Sequence, residues 1–259
     1  MPNKRLVVVS GPSGVGKGLI IEWLLKIYYP NLYKKLHPEE NISFNPEIYN
    51  SRNVKKLGIV KVRKTKTERH KENEDNLGFD GCNGNYYSLN CRGTEQRIYL
   101  DELDEAIENN DAVLLETYYK AFDFLKNRYE NSIDFASTFI SPLNAEETKE
   151  ITEQGKRIED YLPDLMLDSL IKRAERDGKA FTRTLTRELE KRAEDSVNEI
   201  EFAQKNYRQT LPNHCYESDS RWRFPFLIGE PIKVVKSLFE IVETGYSDYA
   251  EHRGKDLLG

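Results

Sequence analysis

Short apolar runs alternate with longer stretches in which apolar residues recur at helical spacing. Leu6–Val9, Leu57–Val62, Ala112–Glu116, Phe135–Ile140 and Phe224–Ile228 are compact and largely β-branched or aromatic, the pattern of strands buried on both faces. Between them, Leu19–Lys26 has a broad apolar face, and Leu100, Leu103 and Ile107 fall on one side of a helix over 100–108. Further helices are expected over 121–129, 144–156, 165–176, 182–208 and 231–242, with Asp177-Gly178-Lys179 as a break. Pro30 ends the first helix, and 30–53, with Pro38 and Pro46, reads as a connector with one short helical turn. Residues 79–89 hold turn residues followed by a short strand, and the tail from Gly245 is polar and expected to be disordered. Strands alternating with helices define an α/β fold, a parallel sheet with helices on both faces.

The run Leu6–Val9 leads directly into Gly11-Pro12-Ser13-Gly14-Val15-Gly16-Lys17, which matches G-x-x-x-x-G-K. Strand, glycine loop and helix supply the context in which that spacing has physical meaning. Glycines let the backbone curl until successive N–H groups point inward, and a phosphate chain fits the resulting nest. The following helix adds the partial positive charge of its N-terminus, and Lys17 can reach β- and γ-phosphates. The position after the lysine normally carries Ser or Thr, whose hydroxyl holds Mg²⁺. Here it is Gly18, followed by Leu19, and the nearby hydroxyls are Ser10 and Ser13.

Composition narrows the classes of function. The 259 residues suffice for one sizeable α/β domain with insertions or for two small ones. A net charge of −5 gives no bulk attraction to nucleic acid, and no apolar run is long enough to span a membrane. The apolar start is too short for a signal peptide, so a cytoplasmic location is expected. Three cysteines, Cys82, Cys91 and Cys215, are too few and too scattered for a disulfide scaffold. Zinc ligation by Cys82 and Cys91 with His70 or His214 is disfavoured because no C-x-x-C pair exists.

Two further stretches carry candidate chemistry. Residues 63–76 are basic in front and acidic behind, which suits either a solvated loop or a cationic arm gripping an anion. Glu116 closes a buried strand at its C-terminal end, the end outside which ligands bind in open α/β sheets.

Together these residues resemble the guanylate kinases, of the nucleoside monophosphate kinase group. Ser10–Gly18 is similar to that family's loop, which often has Gly after the lysine, then Thr where this chain has Leu19. Lys64–Glu72 resembles the family's T-T-R-x-x-R-x-x-E. Thr65, Arg69 and Glu72 match, and Lys66 stands for the first arginine, keeping its charge but not its fork. Asp80-Gly81 with Tyr86 or Tyr87 is similar to D-G-x-x-Y. Val113-Leu114-Leu115-Glu116 resembles either of two family segments, F-L-E or L-x-I-D. Arg173 and Arg176, and the helix bearing Arg192, resemble the lid, and the closing N-D-D motif is missing.

The resemblance implies a three-layer P-loop kinase fold. Its core would span 1–49, 111–164 and 209–244, with a monophosphate-binding insertion over 50–110, a lid and long helix over 165–208, and a tail over 245–259. It implies transfer from ATP to GMP or another nucleoside monophosphate, with Mg²⁺ carried by ATP. Gly11, Pro12, Ser13, Gly14, Val15, Gly16, Lys17 and Gly18 would bind ATP. Lys66, Arg69, Glu72, Tyr86, Tyr87 and Glu116 would form the monophosphate site. Lys17, Arg173, Arg176 and Arg192 would neutralise the moving phosphoryl group. Two rivals are a guanylate-kinase-like binding module without turnover and a P-loop kinase for another small phosphoacceptor.

Overall fold

The computed structural model describes residues 4–39, 54–64, 84–214 and 229–252. Lys66, Arg69, Glu72, His70, Cys82, Cys215 and the expected strand 224–228 lie outside the described residues.

Strand β1 (Arg5–Ser10) runs into the glycine loop and then α1 (Lys17–Tyr28). Next come α2 (Pro30–Leu36), β2 (Leu57–Lys61), β3 (Arg63–Lys64), β4 (Tyr86–Cys91), β5 (Thr94–Tyr99), α3 (Leu100–Asn109) and β6 (Ala112–Glu116). The chain continues through α4 (Phe122–Tyr129), β7 (Asp134–Ser141), α5 (Ala145–Glu153), α6 (Ile158–Arg176), α7 (Arg183–Asn206), β8 (Gln209–Pro212), α8 (Glu230–Thr244) and β9 (Glu251–His252). The main sheet has the order β2-β6-β1-β7-β8-β9. Its first five strands are parallel and β9 is antiparallel to β8. A smaller antiparallel sheet has the order β3-β5-β4.

Alternate residues of each strand feed opposite faces, as a period of two requires. Val7 and Val9 join Leu114 and Ile140 in a core with Ile20 and Leu24 of α1 and Val234 and Leu238 of α8. Leu6 and Val8 join Val113, Leu115 and Phe139 in a second core with Leu103 of α3 and Phe122 and Leu125 of α4. Helix α7 serves both, with Leu189 and Ala193 in the first and Ala203 in the second. The apolar runs are therefore unbroken because both faces of the sheet are covered.

Several elements differ from the sequence expectation. β2 lies in the main sheet, paired with β6 from Leu57↔Ala112 to Lys61↔Glu116, although the expected insertion 50–110 included it. β5 and β8 are strands the pattern did not suggest. β5 alternates polar and apolar residues over only six positions, and β8 is a four-residue run ending in proline. Helix α6 begins at Ile158, with Pro163 inside its second turn, rather than at 165. Pro30 starts α2 at the first helical position, where a missing N–H is harmless. The segment after Gly245 is held through residue 252. Gln209 donates from its side chain to the Gly245 carbonyl at 2.8 Å and accepts from the Ser247 N–H at 2.9 Å, and β9 closes the edge.

Candidate functional site

The sequence between β1 and α1 folds as a curled loop. Gly16 sits at φ 92° as the N-cap of α1, a conformation that favours glycine. At Gly11 the constraint is space, because a Cβ would stand 2.4 Å from the Ile140 carbonyl oxygen of β7. The loop is tied down from three directions. Val15 is fully buried, Asn213 donates its side-chain amide to the Val15 carbonyl at 2.6 Å, and Ser169 of α6 donates to the Gly14 carbonyl at 3.3 Å. Beneath it, Tyr207 donates to Ser10 Oγ at 2.6 Å, and Ser10 donates to the Thr117 carbonyl at 2.9 Å. Lys17 turns its ammonium back into the curl, 2.6 Å from the Gly11 carbonyl and 2.9 Å from that of Pro12.

Beside the loop opens a cavity of about 430 Å³. It lies over the C-terminal ends of β2 and β6, between α1, α2 and the small sheet. Lys17, Lys61, Lys64 and Arg92 bring cationic groups to it, Glu22 and Glu116 carboxylates, and Ile21, Leu25 and Leu36 an apolar wall. Glu116 reaches it because β6 pairs with β1 in the register Val9↔Glu116, one residue short of the loop. Such a mixed pocket can hold an anionic group at one end and a flat, partly apolar group at the other.

A charge cluster borders both loop and cavity. Arg92 stands at the apex of the β4–β5 hairpin. It donates from Nε to Asp195 Oδ2 at 2.7 Å, from Nη2 to Glu199 Oε1, and from Nη1 to Ser13 Oγ at 3.2 Å. Its guanidinium lies over the Tyr118 ring, 5.1 Å from the centroid, while Tyr118 donates to Asp195 at 2.7 Å. Burial pushes the Glu199 carboxyl up to about 7 against the opposing pull of Arg92 and Lys17. Burial, then the bond to Asp195, raise the Tyr118 hydroxyl, and burial raises the Cys91 thiol.

Among the residues singled out from the sequence, Gly11, Ser13, Lys17, Gly18 and Glu116 line the cavity, and Pro12, Gly14, Val15 and Gly16 complete the loop behind it. Tyr86 and Tyr87 do not line it. The Tyr87 ring stacks on Phe124 at 4.0 Å, and Tyr86 is exposed with the Arg97 guanidinium over its ring at 4.3 Å. Nor do the three helix arginines. Arg176 pairs with Asp177 at 3.0 Å and Arg173 with Asp177 at 3.7 Å, at the end of α6, and Arg192 pairs with Glu188 one turn back along α7. Nothing in the sequence marks Asp195, Glu199 or Tyr118 as functional residues. The one signal for Arg92 is a Gly93 that closes a two-residue hairpin. The carboxylates lie in a helix whose charges read as solvated.

Among the described residues no group of three or more His, Cys, Asp or Glu side chains is placed to hold a metal ion. No described helix is long and apolar enough to cross a membrane. Fold and site together define a mixed α/β protein with a parallel sheet and a curled glycine loop between β1 and α1. No protein-family model matches the chain. It is similar to "Non-histone protein 10" of Saccharomyces cerevisiae, 29% identical over 144 residues that cover 50% of this chain and 70% of that protein. That name states no catalysed reaction.

Proposed function

We propose that this chain is a nucleoside monophosphate kinase that transfers the γ-phosphoryl group of Mg·ATP to a monophosphate, GMP first among the candidates. The observation that carries the reading is the Lys17 ammonium inside the curl of the glycine loop, with a cavity of mixed charge beside it. The loop sits where the sheet order reverses between β1 and β7, the place where open α/β sheets take ligands. The resemblance of Ser10–Lys17 to the guanylate kinase loop points the same way.

On this reading the loop N–H groups and Lys17 hold the β- and γ-phosphates, and the monophosphate lies in the cavity. The bond between the γ-phosphorus and the β,γ-bridging oxygen breaks, one to a phosphate oxygen of the acceptor forms, and ADP leaves. Mg²⁺ arrives with ATP and keeps most of its ligands as phosphate oxygens and water, so it needs few protein donors. Ser13 and Glu116 bring a hydroxyl and a carboxylate to the cavity wall. Glu116 can instead accept from guanine N–H groups.

The second reading, a guanylate-kinase-like binding module without turnover, is favoured by Leu19, Lys66 and the missing N-D-D motif. A coupled ADP-release assay with GMP, dGMP, AMP, CMP and UMP separates the possibilities. Turnover with a guanine monophosphate alone supports the first reading. Turnover with another acceptor reassigns the base. Nucleotide binding without turnover selects the module.

A further inference from the structure

Arg92 occupies an unusual backbone position. Its φ is 56°, alone in the left-handed region among the described residues other than glycine. Hairpin apices of this kind ordinarily carry Asn, Asp or Gly, since a side chain with a bulky Cβ substituent is strained there. Strain of this order persists where the surroundings over-determine it, and such positions cluster at functional sites.

The surroundings here do so. The Arg92 side chain is 14% exposed, and Glu199 is buried to 1%. Asp195 and Glu199 are four residues apart on one face of α7, so they meet the guanidinium as a pair. They take Nε and Nη2, and Tyr118 braces the group from its face. Nη1 is turned to the glycine loop, with Ser13 Oγ at 3.2 Å and the Cys91 sulfur at 3.8 Å. Arg92, Ser13 and Lys17 all line the same cavity. A guanidinium held on one edge by carboxylates, and on the other only by a neutral hydroxyl and a thiol, can exchange those weaker contacts for a phosphate oxygen with little cost in side-chain freedom.

We propose that Arg92 is a catalytic residue that contacts the phosphoryl group passing from the donor loop to the acceptor cavity. The assignment rests on the nucleotide kinase reading and moves the transition-state cation from the lid helices to the β4–β5 hairpin.

The test uses the full chain with Arg92→Met, Arg92→Lys and the double variant Arg92→Met/Glu199→Gln. The double variant removes the buried Glu199 charge together with its partner and leaves Asp195 the Tyr118 hydroxyl as a donor. Inorganic tripolyphosphate affinity is measured by calorimetry, and steady-state rates are measured with ATP and the acceptor the parent uses. Folding is checked by thermal melting. The double variant should melt near the parent, bind tripolyphosphate about tenfold or more weakly, and lose on the order of 10²-fold in kcat, with a smaller change in acceptor KM. Arg92→Lys should recover part of kcat. A folded double variant with parental affinity and kcat overturns the proposal. If neither methionine variant folds, parental tripolyphosphate affinity in Arg92→Lys overturns it. A parent that binds tripolyphosphate but phosphorylates no acceptor ends the kinase reading and, with it, the catalytic role of Arg92. A parent that does not bind tripolyphosphate ends both.

Discussion

Asn213 donates its buried side-chain amide to the carbonyl of Val15 at 2.6 Å, across 198 positions of sequence. The residue just past β8 thereby fixes the middle of the glycine loop, with its backbone N–H in turn held by the Ser141 carbonyl at 2.8 Å. Truncating it strands a buried carbonyl, and such groups cost about 1–3 kcal/mol when left unpaired. Asn213→Ala should lower stability by roughly 2 kcal/mol in urea denaturation and weaken ATP binding through a looser loop. ATP affinity equal to the parent's would remove the strut from the site.

Lys17 spends its ammonium on two loop carbonyls, the contacts it would exchange for phosphate oxygens. Lys17→Ala should therefore cost little in folding and on the order of 10²-fold or more in phosphoryl transfer. A melting temperature near the parent's with the rate abolished is the expected pair of results. Parental turnover would discard the loop assignment.

Gly18 is the position where a hydroxyl is normally found, and a Cβ built there meets nothing within 4 Å. The position is exposed and helical, so serine relieves a glycine penalty of about 0.5 kcal/mol. Gly18→Ser should melt no lower than the parent and bind ATP more tightly in Mg²⁺ than in its absence, by a larger ratio than the parent. Titration calorimetry with and without Mg²⁺ measures that ratio, and an identical ratio would show that the metal does not approach this residue.

Glu199 sets a pH dependence. Burial raises its carboxyl from an ordinary 4.5 to about 7, with Arg92 and Lys17 pulling the other way and Asp195 adding to the rise. A carboxyl raised on folding contributes stability that is complete below the unfolded value and is lost as pH climbs through the folded one. Relative to Glu199→Gln, the parent should lose about 3 kcal/mol between about pH 4.5 and pH 8, most of it by pH 7. Urea midpoints at intervals across that range test this, and parallel profiles for parent and variant would contradict it.

The main sheet is largely legible in the sequence. The runs 6–9, 57–62, 112–116 and 135–140 all became strands of one parallel sheet, because strands covered on both faces must be apolar throughout. The glycine loop was legible for a related reason. Backbone curvature that only glycine tolerates, followed at once by a helix, leaves a local signature. β5 and β8 were not legible, since short strands of mixed polarity owe their pairing to neighbours distant in sequence.

The residues of this chain by themselves determined a glycine loop between a buried strand and a helix, and the alternation that builds the sheet, since both follow from local backbone preference and periodicity. Only the tertiary structure decided which cations stand beside that loop. It packs the apex of a hairpin at Arg92 against two carboxylates on α7, some hundred residues onward. Charge partners are chosen by distance in space, and a linear sequence records that distance only where the partners are neighbours.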